Sequence, residues 1–416
     1  MRPSGHVASR IEREWVTAQG VREEQLPVRK SLPQPIQFGV VRDLMTPNLD
    51  EVSQMIRGGS PVLPNGTCPG QTRRRRISVM EAWVDALRDD PRSWLLERED
   101  PAVRQLALRW LEDAEADDPE VAAARAAAMV APPIAPILEG QDPEGWWVKP
   151  GAGYAPKYTG TTWSLIFLDQ LGADGGDARI RRGCGYLLDH VATTAGGLGC
   201  SGQISGVAPP SVVIHCLNGN LLRALIGFGW LDDRRVQAAI DWEARAITGE
   251  DMPRWYTSST PGPGFACAAN AWMPCGWGAV KAVLGLARVP PERRSPLVQE
   301  ALDSGVDFLL SVDPSTAAYP AGYGRISGSW LKPGFPSGYV ADVIQVGEAV
   351  ADAGAGRDPR LAGAIGWIVA QQDERGRWHN RYTYQGKLWA DIERTGDVSK
   401  WVTLRACRVL RAALGD

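Results

Sequence analysis

The pattern of hydrophobic positions in this 416-residue chain changes near residue 78. Beyond that point apolar residues recur at three- and four-residue spacing, as at Val79, Trp83 and Leu87, which predicts amphipathic α-helices. Residues 1–78 contain scattered prolines and no sustained helical period, so they predict an irregular N-terminal extension. We interpret that extension as a mobile arm, or as sequence upstream of a later start at Met80.

Turns of similar sequence recur through the helical region and give it a period. The pattern Asp-x-x-aliphatic begins at Asp118, Asp177, Asp233 and Asp358, and Ser295 stands where a fifth member is due. The first intervals are 59 and 56 residues, and the last interval of 125 residues is about two periods. Because Asp and Ser side chains can cap a helix start, we expect a helix to begin after each.

A second helix precedes most of these turns. The apolar spacing predicts helices over residues 162–171, 221–228, 278–287 and 340–353, and following helices that include residues 238–246 and 301–310. No segment alternates with period two for long enough to form a central sheet. The sequence therefore predicts an all-α array of about five to six helical hairpins over residues 79–416.

Composition and charge exclude several classes of protein. The chain is 44% hydrophobic and 22% charged, which is ordinary for a soluble domain with a large core. A net charge of −3 gives no field for nucleic acid, and the arginines at 73–76 are interpreted as solvated. No apolar run approaches the roughly 18 residues of a spanning helix, and no secretory signal is present. We therefore expect a cytoplasmic protein with reduced cysteines.

Two segments share the spacing Gln-x3-Gly-x-Trp, namely Gln141/Gly145/Trp147 and Gln372/Gly376/Trp378. This spacing resembles the Gln-Trp repeat of squalene and oxidosqualene cyclases. The hairpin array is similar to the α/α toroid that those enzymes share with protein prenyltransferase β subunits. The resemblance implies a closed ring with one helix of each hairpin facing a central cavity. It also implies that the Gln and Trp side chains are structural and that the ligand is an apolar, isoprenoid-like small molecule.

Four cysteines and one histidine are predicted to converge at one mouth of the ring. Cys216 and Cys275 are one period apart and each precedes a first helix, whereas Cys200 and Cys267 lie in the Gly-rich loops just upstream. His215 directly precedes Cys216. Such donors suit tetrahedral zinc, so zinc is the candidate cofactor. Zinc also occurs in the similar prenyltransferase β subunits and lanthionine cyclases, although neither motif matches here. The alternative is that these cysteines are small residues buried in tight packing.

Candidate acids are harder to select. A class II terpene cyclase protonates its substrate with an aspartic acid of an Asp-x-Asp-Asp motif, and this sequence contains no such run. Asp342 on an inner helix and Asp391 and Glu393 before the last one are the candidate catalytic carboxyls, since burial in an aromatic cavity raises a carboxyl pKa. The alternative for Asp391 and Glu393 is that they cap helices or pair with Lys387, Arg394 or Lys400.

Aromatic residues complete the predicted site. Trp163, Trp277 and Trp401 begin inner helices at equivalent phase, so they are the candidate substrate-binding wall. A cation over such a ring gains about 0.5–2 kcal/mol, which would stabilise a carbocation. The alternative is that these side chains fill the core between helices.

Three functional hypotheses follow. The leading one is an isoprenoid-processing enzyme similar to squalene cyclases and prenyltransferases. The second is a zinc-thiolate enzyme that activates a thiol or water at the cysteines. The third is a non-catalytic toroid that binds a lipid or peptide. The expected partner is an apolar, isoprenoid-like small molecule rather than nucleic acid, and peripheral contact with a membrane is compatible with the sequence.

Overall fold

The computed structural model describes residues 82–415 except for residue 203, residues 258–263 and residues 323 and 325. The predicted extension over residues 1–78 therefore lies outside the described residues. The described part is predominantly helical, and its sole paired strands are two residues long each. The prediction that the chain is mainly α-helical, without a central sheet, is confirmed for this part.

Thirteen α-helices and two short strands are present in the described chain. They are α1 (Arg92–Leu95), α2 (Pro101–Leu111), α3 (Pro119–Met129), α4 (Ile134–Glu139), α5 (Thr161–Gln170), α6 (Ala178–Val191), α7 (His215–Gly227), α8 (Arg234–Thr248), α9 (Gly276–Leu286), α10 (Pro296–Leu309), α11 (Val343–Asp352), α12 (Ala362–Ala370), α13 (Lys400–Leu414), β1 (Trp378–His379) and β2 (Val398–Ser399). The strands pair antiparallel, with Trp378 opposite Ser399.

The predicted capping residues all act as caps. Each side chain accepts a hydrogen bond from a backbone N–H in the turn that follows, as the repeated Asp-x-x-aliphatic pattern predicts. The caps are Asp118 on α3, Asp177 on α6, Asp233 on α8, Ser295 on α10, and Asp358 on the 3₁₀ turn that leads into α12. The period read from the sequence therefore marks the starts of one set of helices.

Burial separates the helices into two layers. In α5 every residue except Asp169 is buried, which is typical of a helix surrounded by protein. In α8 the buried positions include Val236, Ala239 and Ile240 at three- and four-residue spacing, so this helix buries one face. The inner layer comprises α2, α5, α7, α9, α11 and α13, and α3, α6, α8, α10 and α12 pack outside it.

Neighbouring inner helices contact one another in a continuous order. The contacts run from α5 through α7, α9, α11 and α13 to α2. Gln105 of α2 donates a hydrogen bond to the Gly172 carbonyl just after α5, at 2.8 Å. Helices from the two ends of the described chain are therefore in direct contact.

The two Gln-x3-Gly-x-Trp segments make the same hydrogen bonds. Each indole N–H donates to the backbone carbonyl ten residues earlier, Trp147 to Ile137 at 2.6 Å and Trp378 to Ile368 at 2.8 Å. Each Trp backbone N–H also donates to a threonine hydroxyl on the next inner helix, at 3.0 Å in both copies. These bonds tie the end of one hairpin to the start of the next.

The glutamine of the second copy joins distant parts of the chain. Gln372 accepts from the Arg88 N–H and donates to the Ala86 carbonyl, both at 3.0 Å. Its side chain is buried, so these bonds are shielded from water. This one residue therefore fastens the C-terminal hairpin to the beginning of the described chain.

The inner helices α7 and α9 approach very closely. A methyl group on Gly219 would lie 2.3 Å from the Lys281 carbonyl oxygen, and one on Gly285 would lie 2.5 Å from the Gly219 carbonyl oxygen. Glycine at both positions permits this contact. Helix α7 also begins six residues before the predicted residue 221, because residues 215–220 are buried on all sides and show no amphipathic pattern.

We expect Gln372→Ala to lower the free energy of unfolding by about 1–3 kcal/mol, because it leaves a buried backbone N–H and carbonyl without their partner. Urea denaturation followed by circular dichroism measures this change. Gln371→Ala is the matched control, since the Gln371 side chain is exposed. Equal loss of stability in both variants would contradict the proposed fastening role.

Candidate functional site

An apolar pocket lies at the N-terminal ends of α7 and α9. Its volume is about 150 Å³. We call it the cysteine–aromatic pocket, after seven of its lining residues: Cys216, Cys267, Cys275, Trp277, Tyr319, Trp330 and Tyr339. Three of the four predicted cysteines thus share one cavity with four aromatic rings.

Cys275 occupies a distinctive position in this pocket. It is the N-cap of α9, and its Sγ accepts a hydrogen bond from the Gly278 N–H at 3.5 Å. A hydrogen bond from the Cys267 thiol lowers the pKa of Cys275 against the effect of burial, and the N–H groups of Gly278 and Trp277 lower it further. A thiolate at a helix N-terminus is stabilised in the same way in many reactive cysteines. Cys275 is therefore the pocket thiol that ionises most readily.

The pKa values of the two neighbouring pocket cysteines are raised rather than lowered. Burial raises the pKa of Cys216, and the hydrogen bond to Cys275 together with burial raises the pKa of Cys267. Cys200 is half-buried and does not line the pocket, and its backbone N–H donates to the Val212 carbonyl at 3.1 Å. The predicted convergence therefore applies to three cysteines, of which one is favoured as a thiolate.

His215 is held by two acceptors in the core beside the pocket. Its Nδ1 lies 2.7 Å from Glu243 Oε1, and its Nε2 lies 2.8 Å from the Gly264 carbonyl oxygen. Both ring nitrogens therefore donate, which assigns the imidazolium form from the partners. Burial alone would lower the pKa of His215, but Glu243 and the Gly264 carbonyl outweigh it and raise the pKa. No nitrogen lone pair remains for a metal ion.

The donor set fits the predicted zinc site poorly. His215 has both nitrogens occupied, as described above. Within the described residues, no group of three or more His, Cys, Asp or Glu side chains is arranged to hold a metal ion. Zinc at Cys216, Cys267 and Cys275 stays a prediction, and no chemical step is assigned to it here.

Asp342 lies in an ion-pair network rather than in the aromatic pocket. It caps α11 by accepting the Gln345 N–H at 2.8 Å, and it lies 3.2 Å from Arg405 Nη2. Glu348 lies 2.8 Å from the same nitrogen. Burial would raise the pKa of Glu348, but Arg405 outweighs it and the pKa is lowered. The network therefore favours the ionised form of Glu348, and a catalytic role for Asp342 stays a prediction.

The other two candidate carboxyls lie apart from the pocket as well. Asp391 is exposed and accepts the Gly386 N–H at 2.7 Å, which holds a loop. Glu393 accepts a hydrogen bond from the Ser399 hydroxyl at 2.5 Å, beside the start of α13. Burial raises the pKa of Glu393 to about 7, which is a suitable value for a general acid. However, Glu393 lines none of the four described cavities. Catalysis by these carboxyls stays a prediction.

The three predicted tryptophans do not form one wall. Trp277 lines the pocket, whereas Trp163 is fully buried behind it, with its ring 5.1 Å from that of Tyr339. Trp401 stacks on Phe335 with ring centroids 4.3 Å apart, away from the pocket. Their shared helical phase therefore does not bring the three rings to one surface, because each packs against different neighbours.

Most of the aromatic lining comes from an irregular segment that sequence reasoning missed. Tyr319, Trp330 and Tyr339 lie between α10 and α11 and fold over the N-terminal end of α9. This segment has no helical period, so phase could not place its side chains. The sequence feature that could have indicated this part of the pocket is the high density of aromatic residues among Gly and Pro in the segment.

The centre of the inner layer is filled rather than open. Arg405 donates to Gly334, Asp342 and Glu348, and Lys281 donates to Gln345. The cavity beside this network has a volume of only about 10 Å³, at the lower limit for a single water. The space beside the Arg405 network is therefore too small for an isoprenoid-like ligand, and a ligand-binding central cavity stays a prediction.

No protein-family model matches the chain, and no curated protein matches it. Solved structures that are similar to it include the type II terpene cyclase MstE from Scytonema without ligand, with 14% identity, a TM-score of 0.22, and coverage of 67% of this chain and 95% of that chain. A variant of MstE in complex with geranylgeranyl dihydroxybenzoate, its substrate, shows 15% identity, a TM-score of 0.23, and coverage of 68% and 95%. Because these TM-scores do not establish a shared fold, the proposals below rest on this chain's own geometry.

None of the described helices combines the length and apolarity needed to cross a bilayer.

We expect Glu243→Gln to destabilise the protein by about 3–5 kcal/mol near pH 6, because it leaves a buried imidazolium without its counter-ion. The pKa of His215 is higher in the folded protein than its ordinary value near 6.5. The ion pair therefore stabilises the fold fully below pH 6.5, and this stabilisation is lost as the pH rises through the folded-state pKa. In urea denaturation, the difference in free energy of unfolding between the variant and the wild type should therefore shrink toward pH 9.

Glu250→Gln is the control for this comparison, since Glu250 is exposed and near the end of the same hairpin. It should leave stability unchanged at both pH values. A Glu243→Gln effect that is the same at pH 6 and pH 9 would show that His215 is not charged in the folded protein.

Proposed function

We propose that the chain is a closed α/α toroid that binds an apolar, isoprenoid-like small molecule in the cysteine–aromatic pocket. The observation that carries this proposal is the pocket itself, in which Trp277, Tyr319, Trp330 and Tyr339 surround a mainly apolar space at the mouth of the inner helices. Ring closure is supported by the continuous contacts from α5 round to α2 and by the hydrogen bonds of Gln372.

The size of the pocket limits how a ligand binds. Its volume of about 150 Å³ equals that of an engineered core cavity that holds benzene. One ring or one isoprene unit therefore fits inside, and the rest of a longer chain must lie outside. Three apolar side chains near the pocket are 40–48% exposed, namely those of Trp272, Met273 and Ile326. The backbones of Trp272 and Met273 are hydrogen-bonded to that of Cys267, which lines the pocket. The three side chains provide apolar surface next to the opening.

The chemistry that fits this pocket differs from proton-initiated cyclisation. None of the three candidate carboxyls lines it, whereas Cys275 does. The second candidate function is therefore nucleophilic substitution by the Cys275 thiolate, whose proton has gone to solvent, at a carbon of the bound molecule that carries a leaving group. The S–C bond forms as the bond from that carbon to the leaving group breaks, and the leaving group departs with the electron pair. Two observations favour it, namely the position of Cys275 at the N-terminus of α9 and the hydrogen bond from Gly278.

We expect Trp277→Ala to weaken binding of geranylgeraniol by about 10–100-fold, because it removes most of one aromatic side chain's apolar contact, worth about 1.5–3 kcal/mol. Isothermal titration calorimetry with farnesol and geranylgeraniol measures the change. Trp367→Ala is the matched control, since Trp367 is a half-buried tryptophan on the outer helix α12. Failure of both alcohols to bind, or equal weakening by both variants, would contradict the proposal.

We expect iodoacetamide at pH 7 to alkylate Cys275 at least about tenfold faster than Cys184, as its sulfur displaces iodide and forms the S–C bond. Cys184 is the internal control because it is fully buried on α6 and outside the pocket. Peptide mass spectrometry measures both rates. Bound geranylgeraniol should protect Cys275, and Cys275→Ser should abolish the fast reaction.

The same preparations test the zinc alternative. Elemental analysis of protein purified without chelator would favour a zinc-thiolate enzyme if it gave about one zinc per chain that is lost in Cys275→Ser. Alkylation of Cys275 no faster than that of Cys184 would contradict the nucleophile hypothesis while leaving the binding experiment unaffected.

A further inference from the structure

A second pocket lies at the opposite end of the inner helices. Its volume is about 260 Å³, and it is formed where α5 and α7 end and just after α9. We call it the arginine pocket, after its charged lining residues: Arg109, Arg125, Arg223, Arg288, Asp169 and Asp174. Four guanidinium groups thus face one cavity with only two carboxylates.

We propose that the arginine pocket binds an oxyanion, namely the phosphate or carboxylate group of a small molecule. Guanidinium groups present planar pairs of N–H donors that match these anions. The pocket is separate from the cysteine–aromatic pocket, so this proposal does not rest on the function proposed for that site.

Arg223 gives the first observation in support. It is only 9% exposed, and its Nε has no hydrogen-bond acceptor among the described residues. The nearest carboxylate oxygen, Oδ2 of Asp169, is 3.5 Å away. A buried charged donor without an acceptor is rare and costs about 1–3 kcal/mol or more. An oxyanion in the adjoining pocket would supply that acceptor.

The crowding of positive charge gives the second observation. Asp169 is the only carboxylate paired with Arg223 or Arg288 in the described chain, and its Oδ1 lies 3.7 Å from Arg288 Nη2. Burial lowers the pKa of Arg109, and the neighbouring charges of Arg125, Arg288 and Arg408 lower it further. These side chains repel one another, and a bound anion would relieve that repulsion.

A different role for the arginines is to neutralise the C-terminal carbonyls of α5, α7 and α9, which carry partial negative charge. In that role the guanidinium groups would donate to those carbonyls. Arg125 instead donates to the Ala116 carbonyl, in the turn before α3, and no helix-end carbonyl accepts from Arg223 or Arg288 among the described contacts. Arg223 and Arg288 are therefore not engaged by the helix ends, and Arg223 Nε lacks a hydrogen-bond acceptor in the described chain.

Calorimetric titration of the full chain with inorganic phosphate, pyrophosphate and acetate, at constant low ionic strength, tests this proposal. We expect at least one of these anions to bind, and Arg109→Gln and Arg288→Gln each to weaken it at least about tenfold. Binding of phosphate or pyrophosphate identifies a phosphorylated ligand, and binding of acetate alone identifies a carboxylate. Both replaced residues are at least partly exposed, so the variants should fold, which circular dichroism checks.

Arg375→Gln is the matched control, since Arg375 is exposed and distant from the pocket lining. It removes the same charge and should leave anion binding unchanged. The proposal is overturned if none of the three anions binds, or if Arg375→Gln weakens binding as much as Arg288→Gln does.

Discussion

Arg405 is buried among the inner helices and connects α13 to α11 and the loop before it. From α13 its guanidinium reaches Glu348 on α11, the capping residue Asp342 and the Gly334 carbonyl in the preceding loop. A buried arginine of this kind is tolerated only when its charge and its donors are matched. These three partners match its charge and its donors, and the cavity beside them has a volume of only about 10 Å³.

The cysteine–aromatic pocket and the arginine pocket lie at opposite ends of the inner helices, and their lining residues differ chemically. At the N-terminal ends of α7 and α9, loops bring aromatic rings and thiols together, and the helix N-terminus favours a negative sulfur at Cys275. At the C-terminal ends, arginines outnumber aspartates around a polar cavity.

His215 supports the cysteine–aromatic pocket structurally, although its side chain does not line that pocket. It fills both hydrogen-bonding positions of its ring with Glu243 and Gly264, so it fixes α8 and the loop before Cys267 against α7. The positive charge also lowers the pKa of Cys275, although less than the hydrogen bonds do. His215, next to Cys216 in sequence, is held by Glu243 and the Gly264 carbonyl and acts as an electrostatic and structural support.

The sequence by itself determined the features that depend on local interactions. Asp118, Asp177, Asp233, Asp358 and Ser295 cap helices because a side-chain acceptor needs only the next few N–H groups, and the helical layers follow from apolar spacing within each segment. Only the tertiary structure decided what each polar side chain meets. The partner of Asp342 is 63 residues away, and the rings that enclose Cys275 come from a segment without periodicity. Charge pairing and pocket lining depend on packing between distant segments, and no local pattern in the chain encodes those distances.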